Sequence, residues 1–146
     1  MELALRFLVF RKKKEADLSR IGDVGEFLTD SMVSLIENKR FDRQEEERIF
    51  RKTFDYLATN YGLDAFRRYD PMKKKHLGGF LHSAFEVVAL GIGFHDGKSK
   101  ASASAFASQV QGMWTDLSFQ QWSGSGVRAS SRIPKLIPLG RGLFRP

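Results

Sequence analysis

Apolar residues recur at helical spacing along most of this chain, and the segments they mark predict five helices. In 2–13, Leu3, Phe7 and Phe10 share one face with Leu8 close by, and the cations Arg11 to Lys14 follow at the end where positive charge complements the helix macrodipole. In 20–38, starting near Asp23, an apolar stripe runs through Leu28, Met32, Leu35 and Ile36, and Asn38 is a stop. The clearest pattern is 43–61, with Phe50, Phe54, Leu57 and Tyr61 on the buried face. Asp42 is placed to cap it with Glu45 three residues on, Glu45 to Glu47 crowd the positive end of the dipole, and Gly62 suits the C-terminal stop. In 77–93, Leu81, Ala84, Phe85, Val88 and Ile92 are in register, and Gly91 and Gly93 weaken the end. After the turn "HDGKSK", segment 99–118 has Ser99 as its cap and Phe106, Val110, Met113 and Leu117 inward. Its opening "ASASAFAS" is rich in small residues, which lets a neighbouring helix approach closely. No segment has a convincing strand alternation.

Residues 123–146, "SGSGVRASSRIPKLIPLGRGLFRP", depart from this pattern. Pro134, Pro138 and Gly140 argue against a long regular helix. Ile133, Leu136, Ile137, Leu139, Leu143 and Phe144 are too apolar for a free tail. The expectation is an all-α fold: an irregular bundle of about five helices over 1–122, and an extended basic C-terminal arm over 123–146 that packs on it.

The 146 residues are enough for one domain with a core. No run approaches the 18 or so apolar residues of a membrane span, so no membrane partner is expected. At the N-terminus the basic cluster follows the apolar stretch, the wrong order for a secretory signal. The absence of cysteine excludes a disulfide scaffold, a thiolate metal site and a thiol nucleophile. These features are compatible with a cytoplasmic protein. The net charge of +7 is uneven: residues 1–96 carry 17 basic and 16 acidic residues, whereas 97–146 carry 7 and 1.

No pattern supports catalysis. His76, His82 and His95 are scattered, and the six-residue step from His76 to His82 is not a helical zinc pair. There is no phosphate-binding G-x-x-x-x-G-K-[ST] loop, and the "GSG" of 124–126 lacks the strand before and helix after that a phosphate cradle needs. No serine has a nucleophile-elbow context. No enzyme activity, metal or cofactor is therefore expected. The candidate chemistry is electrostatic. Lys12, Lys13 and Lys14 beside Arg11, then Lys73, Lys74 and Lys75, then Arg128, Arg132, Lys135 and Arg141 with Arg145 would neutralise several phosphates of DNA if the fold gathered them on one face. Each cluster also reads as helix-end or loop charge facing solvent.

"GLDAFRRYDP", 62–71, joins two predicted helices. Phe66 and Tyr69 are expected to plug the junction and Asp70-Pro71 to end the turn, since a proline disfavours helical geometry in the residue before it. Arg67 and Arg68 are candidates for a partner interface.

Four segments, "ELALRFLVF", "FLTDSM", "FRKTFDYLATNYGLDAFRR" and "FLHSAFEVVALGI", together with the ending "SGSGVRASSRI" and "IPLGRGLF", resemble one bacterial family. Its members have a ParB/sulfiredoxin-like nucleotidase domain followed by a helical domain, as in GmrSD-type modification-dependent restriction enzymes and related phage-defence proteins. The resemblance spans nearly all of this chain but only the helical half of that architecture. The D-G-Q-Q-R motif credited with the family's nucleotide chemistry does not occur here, nor does an HNH-like nuclease motif, so no catalytic residue carries over. The resemblance implies a non-catalytic helical module, the helical half made alone. Its partner would be a separate nucleotidase-domain chain or a second copy of itself. The alternative from the basic positions is a stand-alone nucleic-acid-binding domain.

Overall fold

The computed structural model describes residues 2–146, which form eight α-helices and one short hairpin. In chain order these are α1 (Glu2–Phe10), α2 (Glu15–Leu18), α3 (Val24–Glu37), α4 (Arg43–Asn60), a 3₁₀ turn (Gly62–Phe66), β1 (Arg68–Asp70), β2 (Lys75–Leu77) and α5 (His82–Phe94). Then come α6 (Ala103–Gly112), a 3₁₀ turn (Met113–Thr115), α7 (Leu117–Ser123) and α8 (Ala129–Leu143). The fold is mostly helical, and no helix among the described residues is long and apolar enough to cross a membrane.

α5 is the axis of the molecule. Every residue from Ser83 to Gly93 is buried, so this helix has no solvent face. A helix that is apolar all round must be covered on all sides. α4 covers one side, with Phe54 stacked at 6.4 Å on Phe85. α1 covers another, with the Phe7 ring against Gly93. α8 makes the most extensive contact.

The helix starts follow capping chemistry. Asp23 accepts from the Glu26 backbone N–H at 2.8 Å and Asp42 from that of Glu45 at 3.0 Å. Gly62 closes α4 with φ +76°, as anticipated. The buried face of α4 is rotated from the expected one. It centres on Ile49, Thr53 and Leu57, while Phe50 and Phe54 pack as its half-buried shoulder.

Three expectations need correction. The helix expected over 77–93 begins only at His82, and Leu77 instead ends strand β2, paired antiparallel with β1 so that Tyr69 opposes His76 and Asp70 opposes Lys75. With strands of only three residues, an alternation had no length in which to show. The predicted helix 99–118 begins at Ala103, capped by Ser102 rather than Ser99, and breaks at Met113–Thr115. Asp116 restarts the chain as α7 by accepting from the Phe119 N–H at 2.9 Å, and Leu117, expected inward, is exposed.

The third correction is the extended arm. Residues 129–143 are a helix that contains both Pro134 and Pro138. Each internal proline removes one backbone hydrogen bond and costs about 3 kcal/mol. Against this, Ile133, Leu136, Ile137 and Phe144 are buried, at about 1.5–3 kcal/mol per side chain. Burial wins because these four fall on one helical stripe, with the half-buried prolines on its shoulder. Gly140 completes the stripe. A Cβ there would collide with the backbone of Val87, and one on Gly91 would lie 2.5 Å from the Gly140 carbonyl oxygen. α5 and α8 therefore meet backbone to backbone, a spacing only glycine permits.

Candidate functional site

Of the stripe predicted on α3, Leu28 is buried and Leu35 half-buried against the core, but Met32 and Ile36 are 41% and 69% exposed, and the neighbouring Val33 is 45% exposed. α1 explains the limit of coverage. It packs on α3 through Phe10 stacked on Phe27 at 5.8 Å, and on α4 through Phe7, 5.3 Å from Phe50. Leu8 falls between these contacts and opens onto the grooves on both sides. One groove, about 590 Å³, is walled by Leu5, Leu8, Leu28 and Met32, with the Glu2–Arg6 ion pair at its edge. Another, about 390 Å³, runs between Leu8, Phe41 and Phe50 and is rimmed by Arg43, Glu46 and Glu47. Leu3 adds to the exposed apolar surface. An apolar surface of this extent, rimmed by charge, is the usual mark of a contact site. No single side chain announces it in the sequence, because Met32 and Ile36 obey the same periodicity as a core stripe.

The structure does not gather the predicted basic positions. Lys12 lies at the C-terminal end of α5, where its Nζ donates to the Phe94 carbonyl at 2.7 Å and pairs with Asp96. Lys13 lies over the Phe27 ring, and Lys14 is exposed. Lys73, Lys74 and Lys75 are exposed at the tip of the hairpin, which leads into the N-terminal end of α5. The 13 residues of α5 separate the two lysine clusters by a helix about 20 Å long. Arg128 is exposed at the N-terminal end of α8, and Lys135 lies over the Trp122 ring.

Two of the predicted phosphate contacts are committed to the interior. Arg132 donates through Nε and Nη2 to the buried Glu86 at 2.7 and 2.9 Å. Arg141 is 7% exposed; it donates to the carbonyls of Phe10 at 3.1 Å and Lys13 at 2.7 Å and covers the Phe94 ring. It thus caps the C-terminal end of α1, whose last carbonyls have no partner within the helix. Burial lowers the pKa of its guanidinium from the usual value. Arg11 is likewise buried, between Glu46, Asp96 and the Gly93 carbonyl. Sequence gives the charge of an arginine but not the direction of its side chain.

The joint at 62–71 is built as a brace. Phe66 is buried against Phe80 and Phe85, and the Leu81 N–H donates to the Phe66 carbonyl at 2.9 Å. Tyr69 is half-buried against the His76 ring. The Tyr61 hydroxyl meets His76 Nε2 at 2.8 Å, and burial raises the Tyr61 pKa. Arg67 is held by Asp64 and the Gly78 carbonyl, so of the two joint arginines only Arg68 faces outward without an ion pair among the described residues. The remaining histidines are similarly engaged: His82 packs edge-on to Phe80, and His95 Nε2 donates to the Arg141 carbonyl at 2.8 Å.

Compared with protein-family models, curated proteins and solved structures, the chain matches none.

Proposed function

We propose that this chain is a non-catalytic helical module of a restriction or phage-defence type nucleotidase system, and that it holds a nucleotidase domain against the α1–α3 face. The observation that carries the reading is the uncovered stripe Met32, Val33 and Ile36 beside the Leu8 grooves. In the architecture the chain resembles, the nucleotidase domain precedes the helical domain, and α1 is where it would join. Covering what remains exposed of the three side chains would contribute roughly 2–5 kcal/mol of apolar burial.

Capture of the tagged chain from its own organism at low salt, with and without nuclease, tests this. The expected result is a D-G-Q-Q-R-containing protein that is retained after nuclease and lost when Val33→Glu and Ile36→Lys are combined. Both positions are exposed, so the pair is expected to change stability by about 1 kcal/mol or less. Recovery of no such protein, or of one that vanishes on nuclease treatment, rejects the reading.

A further inference from the structure

We propose that the β1–β2 hairpin is a nucleic-acid contact in its own right, entering the major groove of a duplex with Arg68, Lys73, Lys74 and Lys75 against the flanking phosphates. The inference is independent of the partner-holding reading. The hairpin follows the C-terminal end of α4, whereas α3 precedes its N-terminal end, and the 18 residues between make α4 about 27 Å long.

The first support is concentration of charge. The four cations fall within eight residues, and none makes an ion pair among the described residues. The one acid among them, Asp70, is turned into the loop, where it accepts from the backbone N–H groups of Met72 and Lys73 at 3.0 Å each. The register places Arg68 and Asp70 on one face of the ribbon with their partners Leu77 and Lys75, while Tyr69 and His76 occupy the other. That second face is anchored through Tyr61. Arg68 and Lys75 therefore lie on the face opposite the anchored one, and Lys73 and Lys74 extend the exposed charge into the turn.

The second support is preorganisation. Arg67 ties the base of the hairpin to Asp64 and the Gly78 carbonyl, and Asp70 ties its tip. Lys74 has φ +50°, a left-handed conformation that costs a side-chain-bearing residue about 1 kcal/mol and that glycine adopts freely. A strained residue held by its surroundings is a pointer to function. Here the strained residue also carries the charge at the apex.

The third is shape. A two-stranded ribbon fits the major groove of B-form DNA, which is about 12 Å wide. At the apex Met72 is 91% exposed beside Pro71, an apolar tip suited to the groove floor. One methionine gives little purchase on a bilayer, so the same features favour a duplex over a lipid surface.

The test is fluorescence anisotropy of a 20-base-pair duplex with the full chain between 50 and 200 mM salt. Four phosphate contacts predict a log–log salt slope near −3.6, or about 150-fold weaker binding over that range. In the combined variant Lys73→Ser, Lys74→Gly, Lys75→Ser the slope is expected to fall by about 2.7, to about −1. The Lys74→Gly change relieves the turn, and helical circular dichroism with an undiminished Tm would establish that the variant is folded. A second variant, Lys39→Ser, Arg40→Ser, Lys98→Ser, removes the same formal charge elsewhere and is expected to retain the wild-type slope. Three results would overturn the proposal: no duplex binding at 50 mM salt, equal loss in the two variants, or hairpin-dependent binding to phosphatidylserine vesicles in place of the duplex.

Discussion

Glu86 and Arg132 face each other in a two-point ion pair, at 2.7 and 2.9 Å, with the carboxylate 2% exposed. Glu86 is the one acidic residue of α5, placed where α8 crosses it. Its hydrogen bond is the main reason the Arg132 pKa is raised, and the guanidinium stays charged at any ordinary pH. Arg132→Ala would leave a buried carboxylate without its partner. It is expected to lower the unfolding free energy in urea by about 3 kcal/mol. Arg132→Met combined with Glu86→Leu should restore most of that loss, since the penalty lies in the orphaned charge. If the double variant were as unstable as the single one, packing rather than charge would be the cause.

Gly140 and Gly142 are two positions apart in α8 and should respond with opposite signs. Gly140→Ala pushes a methyl group into the backbone of Val87, which cannot yield as a flexible side chain would. A loss of about 2–3 kcal/mol is expected. Gly142 has open space at its Cβ, and Gly142→Ala should leave stability unchanged or raise it by up to about 1 kcal/mol. Thermal melts of the two variants make the comparison directly.

Pro138 withholds a hydrogen bond from the carbonyl of Pro134 while contributing a half-buried ring. Pro138→Ala restores the donor and is expected to stabilise the protein by about 1–3 kcal/mol. A destabilised variant would mean that the ring's packing outweighs the missing bond.

Asp96 lies 3.1 Å from Arg11 and 3.1 Å from Lys12. Partial burial, the largest single influence, raises its pKa. The Lys12 hydrogen bond and the charges of Lys12, Arg11 and Lys98 together outweigh it and hold the pKa below 3.8. A depressed carboxylate stabilises the fold above its unfolded value and loses that contribution as pH falls through its folded value. Asp96→Asn should therefore cost under about 1 kcal/mol at pH 7, given the exposure of the carboxylate, and flatten the decline in stability below about pH 4. Asparagine tolerates the left-handed φ of +58° at this position, so the backbone is not a confounding cause. Urea titrations at pH 7, 4 and 3 give the comparison.

Where local chemistry and periodicity agreed, the sequence was a good guide. α4 was readable from the Asp42 cap to Gly62, and α3 from its Asp23 cap to Asn38. α8 was misread because the proline rule was weighed above the stripe. Ile133, Leu136, Ile137, Gly140 and Phe144 already stood at helical spacing, and the decisive quantity, the apolar area they bury on α5, belongs to the tertiary structure. The direction of side chains was equally hidden. Arg132 and Arg141 read as surface charge yet lie inward, while Met32 and Ile36 read as core yet lie outward. Asp116, a helix cap in plain view, was missed because the apolar spacing continued smoothly across it to Leu117.

The complete burial of α5 has a consequence for biosynthesis. Its cover comes from residues far along the chain: Glu86 waits for Arg132, 46 positions later, and Gly91 packs against the Gly140 backbone of the same late helix. Long-range closure of this kind slows folding relative to a bundle of adjacent helices. At a synthesis rate of about 5–20 residues per second, α5 stays bare on one flank for several seconds. During that interval the nascent chain displays its most apolar helix, and a stall before α8 would yield an aggregation-prone intermediate rather than a smaller folded protein.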